Sequence, residues 1–155
     1  MKHTCLILGM LWGLSLCARA QKGLGINKVF EGRLVEKELM QESLVKGENL
    51  LPYKLKVLHT VKFTANEKER AEVDSLFCED RKERISDDDS NMELESRDGF
   101  IYYAIVELTD IKEGLHRYIC YQCKGKSKYY DLTLVYMEGE ATLSDLRKTF
   151  TKKKE

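Results

Sequence analysis

The alternation of apolar and polar residues at every second position between Gly99 and Gly139 constrains this chain more than any other feature in it. Successive side chains of a strand point to opposite faces, so a period of two marks a strand with one dry face and one wet face. Tyr130, Leu132, Leu134 and Tyr136 recur in this way with Asp131 and Thr133 between them, and so do Tyr102, Ala104, Val106 and Leu108, with Glu107 opposite. The run HRYICYQC lies between the two. The links Asp110 to Gly114 and Lys124 to Lys126 are polar and short, enough to join antiparallel neighbours without a crossover helix. In TLSDLRKTF the spacing changes: Leu143, Leu146 and Phe150 follow a helical repeat, with Thr142 or Ser144 as N-cap. The segment predicts an antiparallel meander followed by a short C-terminal α-helix.

Upstream, YKLKVLHTVKF carries the same period. Tyr53, Leu55, Val57, Val61 and Phe63 share one face, and Lys54, Lys56, Thr60 and Lys62 the other. His59 falls on the apolar face, where a lone histidine reads as a packed, hydrogen-bonded residue rather than a metal ligand or catalytic base. Asn66 to Arg70 reads as a polar turn, Ala71 to Glu79 as a further strand, and Asp80 to Asn91 as a charged hairpin tip around Asp87-Asp88-Asp89. That triplet lacks the alternating ligands, glycine and terminal glutamate of a calcium loop.

The first 20 residues read differently. Lys2 precedes an apolar run from Cys5 to Cys17, and Ala18-Arg19-Ala20 supplies small residues for cleavage, the layout of a secretory signal. The domain reading is therefore 1–20 as signal and 21–155 as one domain, secreted and extracellular. The run is short for a membrane span, and no later segment approaches the roughly 20 apolar residues a span needs. Without the leader, acidic residues exceed basic ones by two. That balance argues against a nucleic-acid partner, and Lys152-Lys153-Lys154 reads as a solvated tail.

Of the five cysteines, Cys78, Cys120 and Cys123 remain after removal of the leader, so at most one bridge forms within the chain, or one cysteine pairs with a partner. Cys120 and Cys123 are three apart in a strand and face opposite sides, which argues against a zinc or redox pair. No nucleophile elbow, phosphate-cradling glycine loop or His-Glu-x-x-His helix is present. The sequence gives no sign of an enzyme, a cofactor or a metal.

About seven or eight short antiparallel strands are expected from these runs, and closure into a barrel removes exposed edges. At this point the chain resembles the lipocalins, in particular the secreted odorant, pheromone and retinoid carriers. INKVFEGRLVEKELM is similar to the family's entry segment, with Gly32-Arg33-Leu34 at its Gly-x-Trp and Leu34 in place of the tryptophan. VELTDIKEGLHRYICY is similar to its Thr-Asp-Tyr turn through Thr109 and Asp110, with Ile111 in place of the aromatic. LTLVYMEGEATLSDLRKTF is similar to the last strand, Gly-Arg segment and helix, with Met137-Glu138 at the Gly-Arg. Cys78 stands where many members carry a bridging cysteine.

The resemblance implies an all-β fold, an up-and-down antiparallel eight-stranded β-barrel with a short C-terminal helix, carrying a small hydrophobic molecule in its interior. The wall residues would be Leu55, Val57, Val61, Phe63, Tyr102, Ala104, Val106, Ile119, Tyr121, Leu132 and Leu134. The phenols of Tyr102 and Tyr121 would orient a polar group of the ligand. Two alternatives come from the same residues: an immunoglobulin-like interaction domain with Cys78 and Cys120 as its pair, and a barrel filled by its own side chains.

Overall fold

The computed structural model describes residues 21, 23–84, 86, 89–125 and 128–151. The expected signal over residues 1–20 and the lysines at 152–154 lie outside the described residues. Six strands form one antiparallel sheet: β1 (Gln41–Lys46), β2 (Leu55–Asn66), β3 (Met92–Arg97), β4 (Phe100–Lys112), β5 (Leu115–Lys124) and β6 (Tyr129–Gly139). Their order is β1-β2-β6-β5-β4-β3. The meander predicted from the alternation is β4-β5-β6, extended by β3 at one side and by β2 and β1 at the other.

The expected eight-stranded barrel is not what forms. β1 and β3 end the sheet at opposite edges and do not pair with each other, so the sheet is open. A two-sheet immunoglobulin sandwich is equally absent among the described residues. The physical reason lies in one segment: the residues expected as a turn and a strand, Asn66 to Glu79, form a 14-residue helix, α2 (Glu67–Asp80). Asn66 starts it with a capping box, its side chain accepting from the Glu69 amide at 3.0 Å while the Glu69 carboxylate accepts from the Asn66 amide at 2.9 Å. Arg70, Val73, Phe77 and Asp80 then fall at helical spacing and are all buried. Two of those four are charged, which hid the helical period from an apolar pattern. A short helical turn, α1 (Asn27–Phe30), precedes β1. The entry block Gly32-Arg33-Leu34 leads from α1 into a turn, and the first strand begins only at Gln41.

Both faces of the sheet carry a core. On one face, Leu24, Ile26, Val29 and Phe30 of the N-terminal segment and Val73, Leu76 and Phe77 of α2 pack over Val61, Phe63, Val106, Ile119, Tyr121, Leu132 and Leu134. Each such large side chain contributes about 1.5–3 kcal/mol when fully withdrawn from water. On the other face, Leu50 and Leu143 and Leu146 of α3 (Leu143–Thr151) cover Ile105, Tyr118 and Met137. The short C-terminal helix expected from the sequence is α3. Its cap is Thr142: the Asp145 amide donates to Thr142 Oγ1 at 3.2 Å, and Asp145 Oδ2 accepts from the Thr142 amide at 3.1 Å. Tyr118 fixes the approach to this helix by donating its hydroxyl to the Ala141 carbonyl at 2.7 Å.

Polar contacts hold α2 and the N-terminal segment in place. The Arg70 guanidinium pairs with Asp74 at 2.7 Å and lies over the rings of Phe100 and Tyr130, 4.0 and 4.9 Å from their centroids. Asp74 also accepts from the Tyr121 hydroxyl, tying helix to sheet. Asp80, at the helix end, accepts from the backbone amides of Gly25 at 2.5 Å and Ile26 at 2.8 Å. Gly25 suits this close approach, since a Cβ would sit 3.1 Å from Asp80 Oδ1 and 3.3 Å from Leu76 Cδ2 and these side chains would have to give by a few tenths of an ångström.

Candidate functional site

Most of the predicted inward residues share a face, but α2 and the N-terminal segment cover it. Val61, Phe63, Ala104, Val106, Ile119, Tyr121, Leu132 and Leu134 are buried in that core. Tyr102 is half-buried under the Arg97 guanidinium, 4.4 Å from its ring centroid. Leu55 belongs to the opposite core, because a bulge between Leu55 and Val57 sets them out of phase. Val57 lines a cleft. Closing the sheet would have turned this face around a cavity; the open sheet instead fills it with helix side chains. Among the described residues Cys78, Cys120 and Cys123 are free thiols, with Cys123 in the helix-side core and Cys120 packed on the other face, as their spacing predicted. Burial pushes the Cys120 thiol up to about 12.

The cleft lies on the helix-side face, at the β1 edge, and has a volume of about 350 Å³. Antiparallel pairing builds one wall. Glu42 faces Val61, Leu44 faces His59 and Lys46 faces Val57, which puts three β1 side chains on the same side as His59. α1 builds the other: the Phe30 ring is tilted against the His59 imidazole with centroids 4.4 Å apart, and Asn27 Nδ2 donates to Glu31 Oε1 at 2.8 Å. Apart from Val61, which is buried beneath it, these residues line the cleft.

His59 is 9% exposed, and both of its ring nitrogens are engaged. Nε2 lies 2.7 Å from Glu42 Oε1 and Nδ1 lies 3.0 Å from Gln21 Oε1. The packed, hydrogen-bonded histidine expected from the sequence is therefore present, but at the floor of a cleft. Rotating the Gln21 amide by half a turn exchanges its oxygen for Nε2, which lacks a partner among the described residues, so this side chain can either accept from Nδ1 or donate to it. Glu42 also accepts from Lys37 Nζ at 3.1 Å. The hydrogen bond from His59 holds the Glu42 carboxyl below the usual range; burial opposes it, and Lys37 adds to the lowering.

These groups present fixed charges of both signs around a small apolar floor. Among the described residues lining the cleft there is no serine, threonine or cysteine, so the His59–Glu42 pair has no hydroxyl or thiol to activate. Lys37 and Glu42 escaped the sequence reading because residues 37–46 carry no apolar alternation. Their only signal was the opposite charges five apart, which becomes a contact once β1 folds beside β2.

The model of a family described as Family of unknown function (DUF6108) matches residues 13–150. The chain belongs to this family. No curated protein and no solved structure matches the chain. In this DUF6108 chain no helix among the described residues is long and apolar enough to cross a membrane.

Proposed function

We propose that the protein is a non-catalytic binding domain that takes a small amphiphilic zwitterion, of amino-acid or dipeptide size, in the β1-edge cleft. The observation that carries this reading is the charge layout: Lys37, Lys46 and His59 for a carboxylate, and Glu31 and Glu42 for an amine, around Phe30 and Val57. At about 350 Å³ the cleft is at the small end of ligand sites, which run from roughly 300 to 1,000 Å³. The carrier role expected from the sequence keeps its small-molecule character, but the ligand changes from apolar to charged and the place from a barrel interior to a sheet edge. The leader-like residues 1–20 support an extracellular setting. A ligand of about ten heavy atoms at about 0.5 kcal/mol per atom binds in the range of about 0.1–1 mM.

The test is a titration with amino acids and dipeptides, followed through the His59 and Phe30 ring resonances by NMR, beside a parallel titration with fatty acids and retinoids. The expected result is a saturable shift with a subset of the zwitterions, weakened at least tenfold in Glu42→Gln. Saturation by the apolar probes alone, or by neither class, overturns the proposal.

A further inference from the structure

A second constellation lies on the opposite face of the sheet, at the β4–β5 hairpin. His116 Nδ1 is 2.9 Å from Asp110 Oδ1 and 3.4 Å from Glu107 Oε1. One donor atom from each of the three residues falls within 4.8 Å of the other two. We propose that Glu107, Asp110 and His116 bind a divalent first-row transition cation, zinc in the first instance, through one imidazole nitrogen and two carboxylate oxygens.

The spacing is that of ligands sharing one ion. Two donors each about 2.1 Å from a metal lie about 3.0 Å apart at a right angle and about 3.4 Å apart at the tetrahedral angle. The backbone sets this up with an irregularity in the β4–β5 pairing. Leu108 pairs with Arg117 and Lys112 with Leu115, so four steps along β4 face two along β5. Strict alternation would turn Asp110 away from the face that Glu107 shares with His116; the bulge turns it back. Side-chain and backbone contacts brace it: Thr109 Oγ1 donates to the Glu83 carbonyl at 3.0 Å, and Arg117 Nε donates to the Thr109 carbonyl at 2.8 Å. The Tyr118 ring lies beside the His116 imidazole, with centroids 6.4 Å apart.

Charge and access agree with this assignment. The side chains of Glu107, His116 and Asp110 are 12%, 24% and 25% exposed, withdrawn from bulk water yet reachable. A dication neutralises both carboxylates. The mixed nitrogen and oxygen donors favour a transition ion over magnesium or calcium, which take oxygen ligands. Three protein ligands leave further positions for water or a ligand atom.

The experiment uses the full chain, stripped with a chelator and titrated with Zn²⁺ by calorimetry and with Co²⁺ by visible absorption. One equivalent is expected to bind, with a cobalt spectrum free of intense thiolate charge transfer and with the His116 ring resonances shifting. Asp110→Asn, nearly isosteric, and His116→Ala are each expected to weaken binding at least tenfold. Glu113→Gln, an exposed change in the adjoining turn, is expected to stay within twofold. Far-UV spectra establish folding; if His116→Ala unfolds, Asp110→Asn and the wild-type ring shifts decide. Absence of saturable uptake, thiolate absorption in the cobalt form, or uptake retained in Asp110→Asn overturns the site.

Discussion

At the scale of single residues, the buried charges matter more than the apolar ones, because a carboxylate under a core is costly unless it is partnered. Asp80 shows the balance. It accepts two backbone amides from the N-terminal segment, yet burial, with the repulsion of Glu83 and Glu79, pushes its carboxyl above the usual range against the pull of those amides. A raised native pKa means that the folded protein holds a proton the unfolded chain has released. The stability linked to it is then fully present below the ordinary carboxylate range and is lost as pH rises through the native value. Asp80→Asn removes this titration. The stability of the wild type relative to Asp80→Asn, from urea unfolding between pH 4 and 8, is therefore expected to be greatest in acid and to decline as pH rises. A difference that grows with pH would mean that the two amides outweigh burial. Asp80 entered the sequence reading only as the start of a charged hairpin, because its partners lie more than 50 positions away.

At the scale of elements, the outcome turned on where strands stop. The period-two runs were legible, since β2, β4, β5 and β6 each alternate or bury both sides. What was not legible was the helix between β2 and β3. Asn66 and Glu69 have the spacing of a capping box, but Arg70, Asp74 and Asp80 hold positions on or beside the inward face of α2, and an apolar count misses them. The Thr109-Asp110 segment, expected as a turn, lies inside β4, and the chain turns at Glu113 and Gly114 instead. Gly139 ends β6 against the β2 bulge, where a Cβ would lie 2.4 Å from the Lys54 carbonyl oxygen and 2.6 Å from Leu55 Cα. Because both are backbone atoms, no side-chain rotation relieves the clash. Gly139→Ala is expected to cost about 1–3 kcal/mol or more, measured by thermal or urea unfolding. It also displaces the Lys54 carbonyl, which accepts from the amides of Glu140 and Ala141 and so leads the chain into α3.

At the scale of the whole molecule, an open sheet has edges and a closed one has none. β1 and β3 are six residues each and lie outermost, whereas β2, β6 and β5 are flanked on both sides. Hydrogen exchange followed by mass spectrometry is expected to rank the amides accordingly, slowest in β6 and β5 and fastest along β1 and β3. Protection of β1 and β3 equal to that of the central strands would point to a closed barrel. The edge has a functional side as well: β1 is the last strand, and the cleft lies between its side chains and α1, whose Phe30 packs against His59 of β2.

The sequence by itself determined the antiparallel meander, the faces of the strand residues away from the bulges, the opposite placement of Cys120 and Cys123, and the short capped helix at the end. Each depends on local periodicity or on neighbours within a few positions. Only the tertiary structure decided that the sheet stays open, that α2 and the N-terminal segment fill the face a barrel would have enclosed, and that Glu42 meets His59 and Asp110 meets His116. Those results depend on pairing register, on two bulges and on charged residues buried by distant partners, and strand alternation carries no record of them.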